Sequence, residues 1–181
     1  MTLQFPRLLK SGILYKKIMK NIKKLFFFMP DFYQAGGQRV VSDLSLNLPE
    51  NIKQTIVLFE KKISFPYKGN VINLDFPLSL NFFKRFFGFF IRLQRFKKIV
   101  KKERPDWVIS LGNSANIINI LSNKNSIIRA DMFLSKEKNG FFGVLFKILI
   151  KILFNKSSKI VTVSKASAKD LVDSFGIKEE K

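Results

Sequence analysis

Residues 24–47 read KLFFFMPDFYQAGGQRVVSDLSLN. An apolar run, Leu25 to Met29, stops at Pro30 and passes through a loop containing Gly36-Gly37. The chain then re-emerges with helical spacing, Val40, Val41, Leu44 and Leu48 forming one stripe. This is the order of a first β-strand, a glycine-rich turn and a helix N-terminus. Unpaired N–H groups and the positive end of the helix dipole make such a turn able to hold phosphate. Glycine suits it because a Cβ would block both left-handed backbone angles and the close approach of a ligand. A two-glycine turn also serves simply to reverse a chain, so the segments that follow decide its meaning.

Downstream, strands and helices alternate. The first strand spans about 23–29 and its helix 38–48, closed by Pro49 and Asn51. Thr55 to Phe59 is a continuous β-branched and apolar run, as expected of a strand buried on both faces of a parallel sheet. A third strand, 70–75, stops before Pro77, and a long helix over 79–102 is closed by Pro105. Strand four is 106–111, followed by a helix over 113–121 with Ile117, Ile118 and Leu121 inward. Strand five is 126–129, an apolar helix covers 140–154, strand six is 159–163, and an amphipathic helix covers 164–175. The pattern predicts an α/β fold: a Rossmann-like three-layer domain with a mostly parallel sheet of about six strands and helices on both faces. Ligands then sit beyond the carboxyl ends of the strands, here Pro30–Arg39, Gly112–Ser114, Arg129–Met132 and Ser164–Lys165.

The 181 residues suffice for one domain with a good core. With no cysteine and no histidine, the chain holds no disulfide, zinc–thiolate site, Ser-His-Asp triad or histidine base. No metal site is expected. Lack of cysteine suits a reducing cytosol. Lys and Arg number 33 against 13 Asp and Glu, and this formal charge of +20 predicts attraction to polyanions, either nucleic acid or anionic lipid. The abundance of Lys, Asn, Ile and Phe also fits an AT-rich coding bias. Residues 1–21 are basic but lack a long apolar stretch and a cleavage site. They read as an N-terminal extension, with the folded domain over 22–181.

Three segments together resemble the N-terminal half of a GT-B glycosyltransferase of the family-4-like group that builds lipid-linked and surface polysaccharides. MPDFYQAGGQRVVSDLSLNL is similar to that family's opening turn and first helix. DWVISLGNSANI resembles its strand-four segment. KIVTVSKASAKDLVDSFGIKEEK resembles its last N-domain unit, a strand ending in Val-Ser, a helix carrying Asp-Leu, then Phe-Gly-Ile and a charged pair. The resemblance covers roughly 20–181. It implies a single GT-B lobe that transfers a sugar from a nucleotide-sugar donor to a lipid-linked or polysaccharide acceptor, with no further cofactor. In the family a second Rossmann-like domain binds most of the donor and supplies a spaced pair of glutamates. That pair is not found in this sequence, which predicts half an enzyme, inactive alone. Members often place a histidine beyond the fifth strand, where this chain has Arg129-Ala130-Asp131.

The same resemblance implies that Gly36 and Gly37 approach the donor diphosphate and donate backbone N–H groups to charge developing on the leaving group. Arg39, on the first helical turn, either faces phosphate or is solvated or carboxylate-paired. Arg129 either clamps a phosphate or acceptor group or pairs with Asp131 or Glu137. Asp131 and Ser164 complete the acceptor-side candidates, although Ser164 also suits an N-cap, as do Asn113 and Ser114.

The long helix needs no family knowledge. At about 100° per residue, Phe82, Phe86, Phe89, Leu93, Phe96 and Val100 share one face. Lys84, Arg85, Arg92, Arg95, Lys98 and Lys102 fall opposite, with Phe83, Phe87, Phe90 and Ile91 on a flank. Basic residues beside Phe suit an anionic membrane surface; an ordinary crossover helix with a solvated basic face is the alternative. Lys84, Arg85, Phe86, Phe90, Arg92, Arg95 and Lys98 are the expected membrane contacts. The 141–154 stretch, FFGVLFKILIKILF, is too short and too charged to span a bilayer, leaving burial on the sheet or a lipid-facing position.

Three function classes follow. The first is a glycosyltransferase lobe, cytoplasmic and peripheral to the inner face of the plasma membrane. The second is the acceptor and membrane subunit of a split transferase, with a separate protein binding donor. The third, a nucleic-acid binder, rests on charge alone; aromatics gathered on one helix do not make a stacking platform, and no nucleic acid is expected as a partner.

Overall fold

A computed structural model describes residues 22–76, 82–130 and 141–178. The 1–21 extension, Asp131 and Glu137 lie outside the described residues, as do the side chains of Lys84 and Arg85. Six strands form one parallel sheet: β1 (Lys24–Met29), β2 (Lys53–Leu58), β3 (Asn70–Asn73), β4 (Trp107–Leu111), β5 (Ser126–Ala130) and β6 (Lys159–Thr162), in the order β3-β2-β1-β4-β5-β6. Five helices are described: α1 (Gly36–Asn47), α2 (Phe82–Glu103), α3 (Asn113–Ser122), α4 (Phe141–Phe154) and α5 (Lys165–Phe175). The expected elements are all present, with boundaries among the described residues shifted by up to two residues.

β1 is the centre of the sheet and is buried on both sides because its run is apolar at every position. Phe26, Phe27 and Phe28 are fully buried, each contributing about 2 kcal/mol of burial. Phe27 and Met29 point toward α1, against Val41 and Leu48. Phe26 and Phe28 point the other way, toward Leu93 and Phe96 of α2 and Ala115 and Ile118 of α3. The Phe28 and Phe96 rings stack at 3.8 Å. The register Ser110↔Ile128 and Ile128↔Ile160 carries that second face across to β5 and β6, where Ile150, Leu153 and Phe154 of α4 meet Leu171 and Phe175 of α5. So α1 covers one face of the sheet, and α2, α3 and α4 lie along the other. The Asp106 carboxylate fastens the start of β4 to the start of β1, accepting from the Lys23 and Lys24 backbone N–H groups at 2.7 and 2.8 Å.

Two helices sit differently from their apolar patterns. In α2 the inward side is rotated so that Gly88, Arg92, Leu93 and Phe96 are buried, while Phe86, Phe87, Phe90 and Ile91 are exposed. The expected opposition of a Phe face and a basic face is thereby corrected for Arg92, which is only 1% exposed. Its guanidinium lies over the Phe59 ring at 4.9 Å and donates to the Phe76 carbonyl oxygen at 3.4 Å. A weakly hydrated, planar cation tolerates burial against aromatic rings. Arg95 donates to the Leu74 and Asp75 carbonyl oxygens, so it is tied to the end of β3 rather than free for a membrane. In α3, Leu121 is exposed, against expectation, and the asparagines Asn116 and Asn119 turn inward with Ile118.

Candidate functional site

The strand order reverses direction between β1 and β4, since β2 and β3 extend the sheet one way and β5 and β6 the other. A crevice at such a switch point, beyond the carboxyl ends of the strands, is where ligands enter an open parallel sheet. Two helices begin at this point. α1 starts at Gly36 after an Ala35 N-cap, and α3 starts at Asn113 after a Gly112 N-cap. Neither N-cap residue, Ala35 or Gly112, makes a side-chain cap, and neither first turn holds an acidic residue. Both helices thus begin at the crevice with the positive ends of their dipoles. By contrast α5 is capped by Ser164, whose hydroxyl accepts from the Ser167 N–H at 3.1 Å. The N-cap reading of Ser164 is therefore right, and the hydroxyl lies at the edge of the sheet.

Gly36 and Gly37 are the first two residues of α1. The left-handed backbone of this turn falls on Gln34 (φ 37), not on either glycine, which corrects half of the expected reason for glycine here. The other half holds for Gly36, where an added Cβ would meet nothing within 4 Å, so the surface is open to an approaching group. Gly112 carries the backbone requirement at the second helix start, with φ 87 and ψ 143. A Cβ built there lies 3.6 Å from the Pro30 ring, so the loops after β1 and β4 are in contact. The β1–α1 loop is held open by its own pairing: the Phe32 N–H donates to the Lys62 carbonyl oxygen, the Ser64 N–H donates to that of Phe32, and Phe32 is fully buried.

Arg129, at the end of β5, is 6% exposed and sits on the α1 face of the sheet. Its Nη1 donates to the Gly37 carbonyl oxygen at 3.2 Å. The sequence-predicted Gly36, Gly37 and Arg129 thus come together. Arg39 is exposed on the first turn of α1, with no carboxylate within ion-pair distance among the described residues.

Beneath the rim lies a buried polar network that the sequence does not announce. The Ser110 hydroxyl donates to Asn116 Oδ1 at 2.8 Å, and Asn116 Nδ2 donates to the Arg129 carbonyl oxygen at 2.9 Å. Asn119 Nδ2 donates to Ser110 Oγ and to the Val108 carbonyl oxygen at 3.0 and 3.1 Å. All three side chains are fully buried. They lock β4, α3 and the backbone of Arg129 into one arrangement. Asn113 and Ser114, expected as caps, are instead the first two residues of α3 after Gly112.

A cavity of about 700 Å³ opens at the other end of the sheet, lined by Lys53, Lys68, Glu50 and Glu103 among others. It lies at the strand starts and the C-terminal ends of α1 and α2, where the helix dipoles are negative and phosphate is disfavoured. The switch-point rim is the better candidate site.

The family model of Glycosyltransferase Family 4 matches residues 35–181. The fold is similar to a UDP-N-acetylglucosamine 2-epimerase from Rickettsia bellii, with TM-score 0.60 and 12% identity over 88% of this chain and 43% of that one. A UDP-GlcNAc 2-epimerase from Methanocaldococcus jannaschii gives TM-score 0.53 and 16% identity over 87% and 44%. The chain spans less than half the length of either enzyme. No match was found among curated proteins.

Proposed function

The chain belongs to Glycosyltransferase Family 4, and from that membership we propose that it is the acceptor-side lobe of a GT-B glycosyltransferase. The lobe takes part in moving a sugar from a nucleotide-sugar donor to a lipid-linked or polysaccharide acceptor at the cytoplasmic face of the membrane. The opposing wall of the cleft, and most donor contacts, come from a second lobe on the same or a separate polypeptide. This lobe alone does not turn over nucleotide sugar. No helix among the described residues is long and apolar enough to cross a membrane, so any attachment through them is peripheral.

The observation that carries this reading is the pair of helix starts, neither with an acidic residue in its first turn, on either side of the β1/β4 switch point, with Arg129 fastened to one of them. Backbone N–H groups held rigidly in front of a leaving diphosphate stabilise the charge it gains as the glycosidic bond breaks. The open surface at Gly36 admits the phosphates to that distance. Arg39 and Arg129 supply positive charge near the same group. Asp131 and Ser164 belong to the acceptor side of the proposal.

The test is a titration of the 15N-labelled chain with a nucleoside diphosphate. Amide shifts are expected at Gly36, Gly37, Asn113 and Ser114. Shifts confined to the Lys53–Lys68 cavity overturn the site, and sugar transfer by the chain alone overturns the single-lobe reading.

A further inference from the structure

We propose that the sheet face covered by α2, α3 and α4 docks on an anionic lipid bilayer, with the exposed Phe residues of α2 and the outward side of α4 entering the interface. The choice of a membrane as partner rests on the transferase reading above; the shape and charge of the surface do not.

Three observations carry it. First, the two apolar rows share one face. Phe87 of α2 is 63% exposed, and Ile148 and Ile152 of α4 are 50% and 52% exposed, while both helices bury their opposite sides on the same side of the sheet. The Phe86 and Phe90 rings pack edge-to-face at 5.1 Å outside the core. Single exposed apolar residues are ordinary, but grouped ones mark an interaction surface. Second, the face lacks negative charge. No Asp or Glu occurs from 82 to 102, from 107 to 130, or from 141 to 169. Glu103, which ends α2, is paired with Lys24 at 3.1 Å. Lys97, Lys98, Lys101 and Lys102 are exposed on the second half of α2.

Third, the residue types fit lipid better than the other occupants. A second copy of the chain would set these lysines against each other. Nucleic acid would need spaced rings open to bases, whereas these rings cover one another's edges. Phe at the level of the acyl boundary with Lys at the phosphates matches both chemistries of an anionic interface.

The experiment is co-sedimentation of the 181-residue chain with vesicles of phosphatidylcholine containing phosphatidylglycerol, and with phosphatidylcholine alone. Binding to the anionic vesicles is expected to exceed binding to the neutral ones, and to weaken with salt. Phe87→Asp combined with Ile148→Asp should lower it about tenfold or more, as should Lys98→Glu with Lys101→Glu. All these positions are exposed, and circular dichroism verifies that each variant folds. Unchanged vesicle binding in the Phe87/Ile148 variant overturns the proposal. So does loss of self-association in that variant with vesicle binding intact, or heparin binding that tracks the Phe87/Ile148 changes. Nucleoside-diphosphate shifts at Gly36 and Gly37 are read on the same variants. Their persistence when lipid binding fails separates the failure of this surface from that of the transferase reading.

Discussion

Arg129 reaches from the end of β5 to the first turn of α1 and donates to the Gly37 carbonyl oxygen, joining positions 92 residues apart in sequence. The contact fixes the glycine turn against the sheet. It also brings the Arg129 guanidinium to the N-terminal end of α1.

Arg129→Lys keeps the charge but loses the planar fork. The shifts induced at Gly36 and Gly37 by a nucleoside diphosphate should weaken about tenfold in apparent affinity, about 1.4 kcal/mol, while the fold survives. Arg129→Ala should weaken them at least as much. Titration of each variant, followed by amide shifts, measures this; equal affinity in all three proteins removes Arg129 from the site.

Asn116→Ala leaves the Ser110 hydroxyl without its acceptor in the core and removes one hydrogen bond to the Arg129 carbonyl oxygen. Leaving a buried group without its partner costs about 1–3 kcal/mol. A fall of about 1–3 kcal/mol in unfolding free energy is expected from urea denaturation. Asn119→Ala, which releases Ser110 and Val108, should behave alike, and the double variant should fall short of the sum because the two share Ser110.

Gly88→Ala pits two effects against each other. Alanine is favoured over glycine in a helix by about 1 kcal/mol. Yet the new Cβ would lie 2.5 Å from Phe76 Cε1 and 3.1 Å from Arg92 Nη1, and overpacking of this kind costs about 1–3 kcal/mol. The net effect should be destabilising in the wild-type background and should turn stabilising with Phe76→Ala beside it. Thermal unfolding of the four proteins decides.

Gly112→Ala forces an L-residue into φ 87, ψ 143. Strain of about 1–3 kcal/mol is expected, read as a lower urea midpoint. Asn should give no rescue, because ψ lies far from the left-handed helical value that asparagine tolerates. The start of α3 should shift, seen as changed amide resonances at Asn113 and Ser114.

Most of the sheet is legible in the sequence because parallel strands need apolar residues at every position, and runs such as Leu25 to Met29 contain little else. The switch-point loops follow from the element order. The inward side of α2 is not legible in the same way, since Phe occurs nearly all round it and periodicity cannot choose that side. The deciding partners were distant: Phe59 and Phe76 draw Arg92 inward, and Gly88 lets the helix approach Phe76. The burial of Asn116 and Asn119 is not legible in the sequence because hydropathy places asparagine outside. Their burial depends on Ser110 and on backbone groups of neighbouring strands, which no local pattern encodes. The glycine turn is legible in the sequence, but its left-handed residue is Gln34.

α2 begins where β3 ends, and its aromatic half therefore stands at the crevice end of the molecule, while its lysines trail toward the strand starts. A lobe settled on that face would lie with its strands flat along the bilayer, the crevice opening sideways about one helix diameter, 10–12 Å, above the hydrocarbon. On the proposed function, a lipid-tethered acceptor would then keep its tail immersed throughout the encounter. Its search for the lobe would collapse from three dimensions to two.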